Sequence, residues 1–177
     1  MKREIIKRYN ITYKGYDKLY GEEQKKKIEK IEHYLKKKKI LDIGCGTGIL
    51  EEKMENGGYI IGLDLSEKMI KSAKEKNKRK RWISWIVADA ENLPIRERSI
   101  EVTAAITVFQ NIPNPNKALK EMKRTLKKKG TAITTLMKKD PRRDEVKKKI
   151  TKTKLKIKRE IDEEELKDRI LILQKDG

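Results

Sequence analysis

The sequence predicts an α/β fold, a single domain whose mostly parallel sheet of seven strands has helices on both faces. Short apolar segments alternate with stretches of helical spacing along the whole chain, which is the pattern of successive β-α-β units. A glycine-rich turn, Gly44 to Gly48, follows the first apolar segment. No internal repeat and no long linker divides the chain, so residues 1–177 are predicted to form one domain.

Seven segments have the apolar composition of strands. They are KILDIG (39–44), YIIGLDL (59–65), RWISWIVADA (81–90), IEVTAAITVF (100–109), TAITTLM (131–137), KLKIKREI (154–161) and RILILQK (169–175). The sixth segment alternates apolar residues with lysines, which is typical of a half-exposed strand at the edge of a sheet. Lysines at an edge block pairing with other chains.

Helical spacing predicts five helices between these strands. The first covers 21–35, and the second begins at Gly48 and ends at Gly57-Gly58. Ser66 caps the third, which covers 67–77. The fourth begins at Asn114-Pro115, carries Leu126 on its apolar side and ends within 127–130. The fifth is a short helix over 144–152.

The charge of the chain is strongly positive. Lys and Arg number 47 against 28 Asp and Glu, a formal net charge of +19. Such an excess favours a polyanionic partner, most often nucleic acid. A lysine-rich composition or a thermophile-like surface is the alternative, because 42% of the residues are charged.

Three features of composition limit the class of protein. No run of 18 apolar residues is present, so no membrane span is predicted. The N-terminal segment is basic but lacks the apolar centre of a signal peptide. A single cysteine excludes a disulfide framework and a Cys-rich zinc site, so no metal is expected. The expected location is the cytoplasm.

A strand, a glycine-rich turn and a helix form a cradle for a polar ligand, because the helix N-terminus offers unpaired N–H groups. A P-loop would need Gly-Lys-Ser/Thr, which does not follow Gly48. A dinucleotide fingerprint would place its third glycine at residue 49, which is Ile49. This mismatch weakens the interpretation as a dinucleotide site. S-adenosylmethionine is the third ligand class that such a cradle could hold.

Four motifs at characteristic spacing support S-adenosylmethionine as the ligand. LDIGCGTG (41–48) ends the first strand, GLDLSEKMI (62–70) the second and ADAENLPI (88–95) the third, and FQNIPNPNKALKEMKRTLKKKG covers 109–130. In these motifs the sequence resembles the class I S-adenosylmethionine-dependent methyltransferase family, in its type 11 form, over most of the chain. The resemblance implies a Rossmann-like core (21–177), an N-terminal lid (1–20) and methyl transfer that leaves S-adenosylhomocysteine.

The resemblance implies that the glycine loop holds the methionine half of the cofactor. Gly44, Gly46 and Gly48 would let the backbone pass close to it, with Cys45 as a small residue of the loop. Asp42 would support the amino end of the cofactor, whose sulfonium also favours a nearby carboxylate.

The resemblance places the adenosine half between the ends of the second and third strands. Asp64 would accept both ribose hydroxyls, as an acid does at that position in nucleotide sites. Leu65 and Met69 would flank the adenine. Asp89 would accept its amino group, and the Ala90 N–H would donate to the adjacent ring nitrogen.

The acceptor is expected beside the fourth and fifth strands. The Asn/Asp-Pro-Pro-Tyr/Phe motif of amino-methylating enzymes is absent there. Acceptor-pocket candidates are Phe109, Gln110, Asn111 and the lid residue Tyr16, but neither amide is a useful base near neutral pH. No catalytic residue is therefore identified. His33 is expected at the surface.

Basic residues lie near the expected acceptor pocket. The substrate-binding candidates are Lys138, Lys139, Arg142 and Arg143 after the fifth strand and the lid tyrosines Tyr9 and Tyr13. Basic residues interleaved with aromatics suit a flipped or single-stranded base. RNA, either tRNA or rRNA, is therefore the favoured acceptor. The alternatives are a small metabolite or lipid, or a regulatory subunit that binds S-adenosylmethionine without transferring its methyl group.

The third strand forms the other edge of the predicted sheet. Trp82 and Trp85 make it apolar on both faces. Helices of the same chain could cover it, or it could dock a partner such as the small zinc-ribbon activators of some tRNA methyltransferases.

Overall fold

The computed structural model describes residues 2–55 and 58–176, and within them seven strands form one sheet. The strands are β1 (Lys39–Ile43), β2 (Tyr59–Asp64), β3 (Ile83–Val87), β4 (Ile100–Ala105), β5 (Leu126–Met137), β6 (Leu155–Ile161) and β7 (Asp168–Lys175). The helices are α1 (Lys2–Thr12), α2 (Tyr16–Leu35), α3 (Ile49–Lys53), α4 (Glu67–Lys76), α5 (Pro115–Thr125) and α6 (Arg143–Lys152). Short 3₁₀ turns cover Tyr13–Gly15 and Phe109–Asn111.

The sheet has the order β3-β2-β1-β4-β5-β7-β6. Strands β1 to β5 pair in parallel, whereas β7 is antiparallel to both β5 and β6. The mostly parallel, seven-stranded prediction is therefore confirmed. The chain runs outward from β1 to β3 and then returns to β4 on the other side of β1. Ligands bind at such a reversal of strand order, beyond the carboxyl ends of the strands.

Two apolar layers cover the two faces of the sheet. On one face Ile28, Ile31 and Leu35 of α2 pack with α3 against residues such as Ile40 of β1. On the other face α5 and α6 pack against Leu41 and its neighbours. Successive strand residues point to opposite faces, so Ile40 and Leu41 enter different layers. Helices on both faces are thus confirmed.

Several boundaries differ from the sequence-based expectation. Strand β4 ends at Ala105 rather than at residue 109, because Thr107 has a left-handed φ of 56° and a 3₁₀ turn follows. The fourth predicted helix ends at Thr125, and Leu126, expected on that helix, begins β5 instead. Helix α3 ends at Lys53, before the predicted Gly57-Gly58 stop, of which Gly57 lies outside the described residues.

The N-terminal segment lies over the carboxyl edge of the sheet, the position expected of a lid. Its helix α1 was not predicted as a helix, and α2 runs unbroken from Tyr16 across the predicted boundary at residue 20. The division into a lid (1–20) and a core (21–177) stays a prediction. Within the described residues, none of the helices is long and apolar enough to span a lipid bilayer.

Candidate functional site

A cleft with about 760 Å³ of space, part of it open to solvent, lies beyond β1, β2 and β4. Helix α1 forms one wall through Lys2, Ile5, Ile6 and Tyr9. Seven of the ten residues predicted to bind the cofactor line it: Gly44, Gly46, Asp64, Leu65, Met69, Asp89 and Ala90.

The glycine loop is held against the end of β2. The N–H groups of Gly44 and Cys45 both donate to the carbonyl of Leu63, at 2.7 and 3.0 Å. Gly44 has a φ of 74°, and a Cβ there would lie 2.5 Å from Cγ2 of Val108. Only glycine fits this position without strain, because both the dihedral and the space exclude a side chain.

Gly48 lies behind the loop, where it permits close packing between elements. A Cβ on Gly48 would meet Asn77 at 2.9 Å, and Ala73 and Trp85 at 3.0 Å. The Asn77 amide also donates to the Gly48 carbonyl at 3.2 Å. In this geometry Gly48 brings the start of α3 close to α4 and to β3.

Asp64 at the end of β2 is fixed by two backbone N–H groups. Its Oδ2 accepts from Gly46 at 3.0 Å, and its Oδ1 accepts from Ser66 at 2.8 Å. Burial raises the pKa of Asp64, and these hydrogen bonds partly offset that rise. A carboxylate has about four acceptor sites, so Asp64 retains acceptor capacity that can face the cleft.

A pair of buried acids lies behind the loop. Asp42 lines a small cavity with Gly44, Cys45 and Gly46. Burial raises the pKa of Asp42 to about 7, and the nearby Asp64 charge adds to the rise. Glu51 of α3 is fully buried, and neither carboxylate oxygen has a hydrogen-bond partner among the described residues. Burial, and then the charge of Asp42, raise the pKa of Glu51 well above its usual value.

Cys45 does not have the surroundings of a nucleophilic thiolate. It is buried, and burial followed by the charge of Glu51 raises the pKa of its thiol well above the usual value. Such a thiol stays protonated near neutral pH. Its position in the loop fits a small packing residue.

Helix α1 is tied to the cleft at both ends. The Lys2 ammonium pairs with Asp89 at 2.6 Å and with Glu91 at 2.8 Å. Those hydrogen bonds raise the pKa of Lys2. Near the other end, the Ser66 hydroxyl donates to the side-chain oxygen of Asn10 at 2.7 Å. The carboxylate predicted to bind adenine is thus already paired with a lysine of the lid.

A second cavity with about 960 Å³ of space, part of it open to solvent, lies beside the cleft, toward β5 and β7. Its walls include Leu19, Tyr20 and Met137, with Arg8 and Lys167 as cationic members. The two cavities share a wall, formed by Tyr9, Tyr16, Thr107 and Asn111. We call the second one the acceptor cavity, because it adjoins the cleft where the acceptor is expected.

The predicted acceptor residues separate into two groups. Asn111 lies in the shared wall, where its amide donates to the Tyr9 hydroxyl at 2.7 Å, and Gln110 lines the acceptor cavity. Phe109 is instead buried in the apolar layer formed with α5. Tyr13 lies against α4, with the Lys68 ammonium 5.8 Å from its ring centre.

The tyrosines of the shared wall form an aromatic cluster. The ring of Tyr16 lies 6.3 Å from that of Tyr9 and 5.0 Å from that of Tyr20, centre to centre. Burial is the main cause that raises the pKa of both Tyr9 and Tyr16. Neither phenol is therefore a base near neutral pH.

Three of the four predicted substrate-binding cations after β5 make internal contacts. Lys138 pairs with Asp162 at 2.9 Å. Arg142 donates to the backbone carbonyls of the 109–112 turn, including that of Gln110. Arg143 donates to the carbonyl of Lys138 at 2.9 Å and pairs with the neighbouring Asp144. Lys139 is exposed to solvent.

A buried polar network forms the floor of the acceptor cavity, and the sequence analysis did not identify it. Lys27 of α2 pairs with Asp168 of β7 at 3.0 Å, and both side chains are 1% exposed. The Thr107 hydroxyl accepts from Lys27 and donates to Asp168, both at 2.8 Å. The sequence does contain one indication of this network. Lys27 occupies the same helical stripe as Ile28 and Ile31, where an apolar residue is expected.

The fold and the cleft define a doubly wound α/β protein that binds a nucleotide-like cofactor at the switch point of its sheet. The family profile described as a methyltransferase domain matches residues 41–134. The chain therefore belongs to the class I S-adenosylmethionine-dependent methyltransferase family.

Several known proteins that are similar to the chain are methyltransferases. A demethylmenaquinone methyltransferase from Staphylococcus carnosus is 34% identical over 143 residues, which cover 75% of this chain and 59% of that protein. The solved structure of magnesium protoporphyrin IX methyltransferase from Synechocystis, with S-adenosylmethionine bound, has a TM-score of 0.82 at 16% identity. It covers 98% of this chain and 96% of that one.

A second solved structure is a complex between the Haloferax volcanii Trm112 methyltransferase activator and a methyltransferase. It has a TM-score of 0.76 at 15% identity, and it covers 96% of this chain and 98% of that chain. At such identities these two structures support the fold alone. The chain spans about half to three-fifths of the length of the relatives that it matches first in sequence.

Proposed function

We propose that this protein is an S-adenosylmethionine-dependent methyltransferase. The observation that carries the proposal is the Asp64 carboxylate, held by Gly46 and Ser66 at the edge of the cleft. Its remaining acceptor sites suit the two ribose hydroxyls of the cofactor. The close backbone approach at Gly44 suits the methionine half.

The charges around the cleft also fit a cationic ligand. The chain carries a net charge of +19, yet Asp64, Asp89 and Glu91 line the cleft and Asp42 lies behind the loop. Carboxylates concentrated there favour a ligand with a sulfonium and an ammonium group. Asp89 would accept from the adenine amino group after Lys2 moves aside.

The shared wall of the two cavities is the point where methyl transfer would occur. The cofactor supplies, when bound, a methyl group on a sulfonium, which is a good leaving group. The protein then has to orient the acceptor in line and exclude water, and positioning supplies much of the rate. Tyr9 and Tyr16 line this wall from the lid side, and Asn111 lines it from the turn after β4.

The acceptor that fits the geometry best is a small molecule with a flat apolar body. Leu19, Tyr20 and Met137 give the acceptor cavity apolar and aromatic walls, to which Tyr9 and Tyr16 add their rings. Three of the predicted substrate-binding cations, Lys138, Arg142 and Arg143, already make hydrogen bonds or ion pairs within the protein. The name of the demethylmenaquinone relative is consistent with a flat ring acceptor.

RNA is the second candidate acceptor, because of the net charge of +19. A flipped base could stack on the tyrosines of the shared wall. RNA binding would weaken steeply as salt rises, through the release of counterions, whereas small-molecule methylation would change little.

The test uses S-adenosylmethionine with a labelled methyl group and an extract of the source cells separated into small-molecule, RNA and protein fractions. Label in the small-molecule fraction supports the first candidate, and label in RNA that disappears at high salt supports the second. Binding of S-adenosylmethionine without label in any fraction would favour the regulatory-subunit alternative. If calorimetry detects no binding, the proposed function is wrong.

A protein partner at the edge of β3 is a further part of the proposal. Strand β3 is the first in the sheet order, and Val87 at its end is 50% exposed. Trp82 and Trp85 are half-buried against the apolar layer that contains α3, so they do not form the outer surface. The Trm112 complex supports a small activator as the kind of partner. Calorimetry should show that the wild-type protein binds such an activator and that the Val87→Arg variant does not. Equal binding by the wild type and the variant would exclude the β3 edge as the binding site.

A further inference from the structure

Thr107 lies between the two cavities in a backbone conformation that its side chain disfavours. It follows β4 with a φ of 56°, in the left-handed region. For a β-branched residue this is a real outlier, which costs conformational energy. Such strain persists only where the surroundings fix the residue, and it concentrates at functional sites.

Every polar group of Thr107 has a partner. Its N–H donates to the Thr135 hydroxyl at 2.7 Å, and its carbonyl accepts from the Gln110 amide at 2.6 Å. Its hydroxyl donates to Asp168 and accepts from Lys27. Gln24 makes the longest contacts of the set: its amide nitrogen donates to the same hydroxyl at 3.2 Å, and its amide oxygen lies 3.4 Å from that hydroxyl.

Asp168 and Lys27 fix the Thr107 hydroxyl from the floor of the acceptor cavity. One oxygen of Asp168, Oδ2, accepts from Thr107, from Thr135 at 2.6 Å and from Lys27 at 3.0 Å. The other, Oδ1, is buried with no hydrogen-bond partner among the described residues. The carboxylate therefore connects to the shared wall through the Thr107 hydroxyl and retains an unused acceptor site.

We infer, on the basis of the proposed methyl transfer, that the acceptor presents a hydroxyl group and that Thr107 relays the proton of that hydroxyl to Asp168. The acceptor hydroxyl replaces the long Gln24 contacts and donates to the Thr107 oxygen. As the acceptor oxygen bonds to the methyl carbon, the bond from that carbon to sulfur breaks. The acceptor proton moves to Thr107, whose own proton moves to Oδ2 of Asp168. The products are the methyl ether, S-adenosylhomocysteine and the protonated carboxyl group.

Thr107 is thus the catalytic residue of the relay, because it touches the acceptor. Lys27 and Gln24 are positioning residues, which act through Thr107. The other titratable groups that line the acceptor cavity are Arg8, Tyr9, Tyr16, Tyr20, Glu23 and Lys167. None of these has a hydrogen bond to the Thr107 hydroxyl, so Asp168 is the carboxylate placed to receive the proton.

The first arm of the test compares Thr107→Val and Thr107→Ser, with Thr103→Val as a matched control. Thr103 is buried on β4, and its hydroxyl has no partner among the described residues. Labelled S-adenosylmethionine is the donor, and the small-molecule and RNA fractions of the source-cell extract are the acceptors. Thr107→Val should lower methyl transfer at least tenfold, whereas Thr107→Ser and Thr103→Val should keep at least a third of it. Wild-type rates in Thr107→Val would overturn the inference.

The second arm determines which atom of the labelled product carries the methyl group, by mass spectrometry after fragmentation. A methyl group on oxygen is expected. A methyl group on nitrogen, sulfur or carbon overturns the hydroxyl acceptor while the proposed function stands. S-adenosylmethionine affinity, measured by calorimetry, should stay within twofold in all three variants. Absence of binding by the wild-type protein would instead overturn the proposed function, and the inference with it.

Discussion

The Gly46 N–H donates to the Asp64 carboxylate at 3.0 Å and so joins the glycine loop to the end of the neighbouring strand. The same carboxylate accepts the Ser66 N–H at the start of α4. A substitution at Asp64 therefore removes a ligand contact and a loop contact together. This relationship explains why a single acid at the end of β2 can organise the cofactor cleft.

Asp64→Ala is expected to weaken S-adenosylmethionine binding by at least about 100-fold. Two hydrogen bonds from ribose hydroxyls to a charged group contribute roughly 1.5–3 kcal/mol each, and both are lost. Calorimetry at constant pH measures the effect. Asp144→Ala is the control, because Asp144 is an exposed acid on α6. Unchanged affinity in Asp64→Ala would show that the ribose contact is wrongly placed.

The succession of strands and helices along the chain and the glycine loop could be predicted because they depend on local patterns. Apolar segments, helical spacing and the turn at Gly44 are properties of short stretches of sequence. Ser66 shows the same locality, since its side chain caps α4 by accepting the Met69 N–H at 3.2 Å. Such features need no knowledge of distant residues.

The floor of the acceptor cavity could not be predicted in the same way. Lys27 and Asp168 are far apart in the sequence and meet only because α2 packs across β7. The position of Lys27 on the apolar stripe of α2 indicates burial but not its partner, and Asp168 alone looks like an ordinary surface charge. The charge of Arg142 led to the opposite error, because the sequence analysis assigned this residue to substrate binding. Its guanidinium instead donates to backbone carbonyls of the 109–112 turn, and these contacts depend on the tertiary structure.

Lys2→Ala is expected to raise the association rate of S-adenosylmethionine several-fold. Lys2 pairs with Asp89 and Glu91 across the cleft, and the proposed adenine contact uses the same Asp89 carboxylate. Removing the ammonium frees that carboxylate and loosens one end of α1. Stopped-flow fluorescence measures the rate. Lys7→Ala, an exposed lysine on the same helix, should leave it unchanged. A slower association in Lys2→Ala would count against this role of the lid.

Gly44→Ala is expected to lower the free energy of unfolding by about 1–3 kcal/mol. The new Cβ would meet Val108 at 2.5 Å and would also require a positive φ. Adding Val108→Ala should restore part of the loss, because it removes the clash but not the backbone strain. Gly21→Ala in α2 is the control, since its Cβ would meet only Asp17 at 3.9 Å. Urea denaturation measures all four proteins. A neutral Gly44→Ala would contradict the tight approach of the loop.

Asp42 should make the cofactor-free protein less stable as pH rises from about 4 to 7. Its pKa is raised from 3.8 to about 7, so the folded state keeps a proton that the unfolded chain releases. Stability is then lost through that window and levels off above it, by an amount on the order of a few kcal/mol. Asp42→Asn should flatten this slope in urea denaturation at several pH values. Asp144→Asn is the control and should leave this slope unchanged, because Arg143 lowers the pKa of Asp144 and the effect of its titration on stability therefore falls below pH 4. An unchanged slope in Asp42→Asn would show that Asp42 is ionised throughout.

Lys27→Met is expected to destabilise the protein by roughly 3–5 kcal/mol, because it leaves the Asp168 carboxylate buried without its cation. Asp168 also accepts from Thr107 and Thr135, so the loss should spread to the end of β4 and impair methyl transfer. Lys30→Met is the matched control, one turn along the same helix. Lys30 pairs with Glu163 at the protein surface, where solvent screens the interaction, so this variant should unfold at nearly the wild-type urea concentration. Equal stability of the two variants would mean that the Lys27–Asp168 pair contributes no more than a surface ion pair.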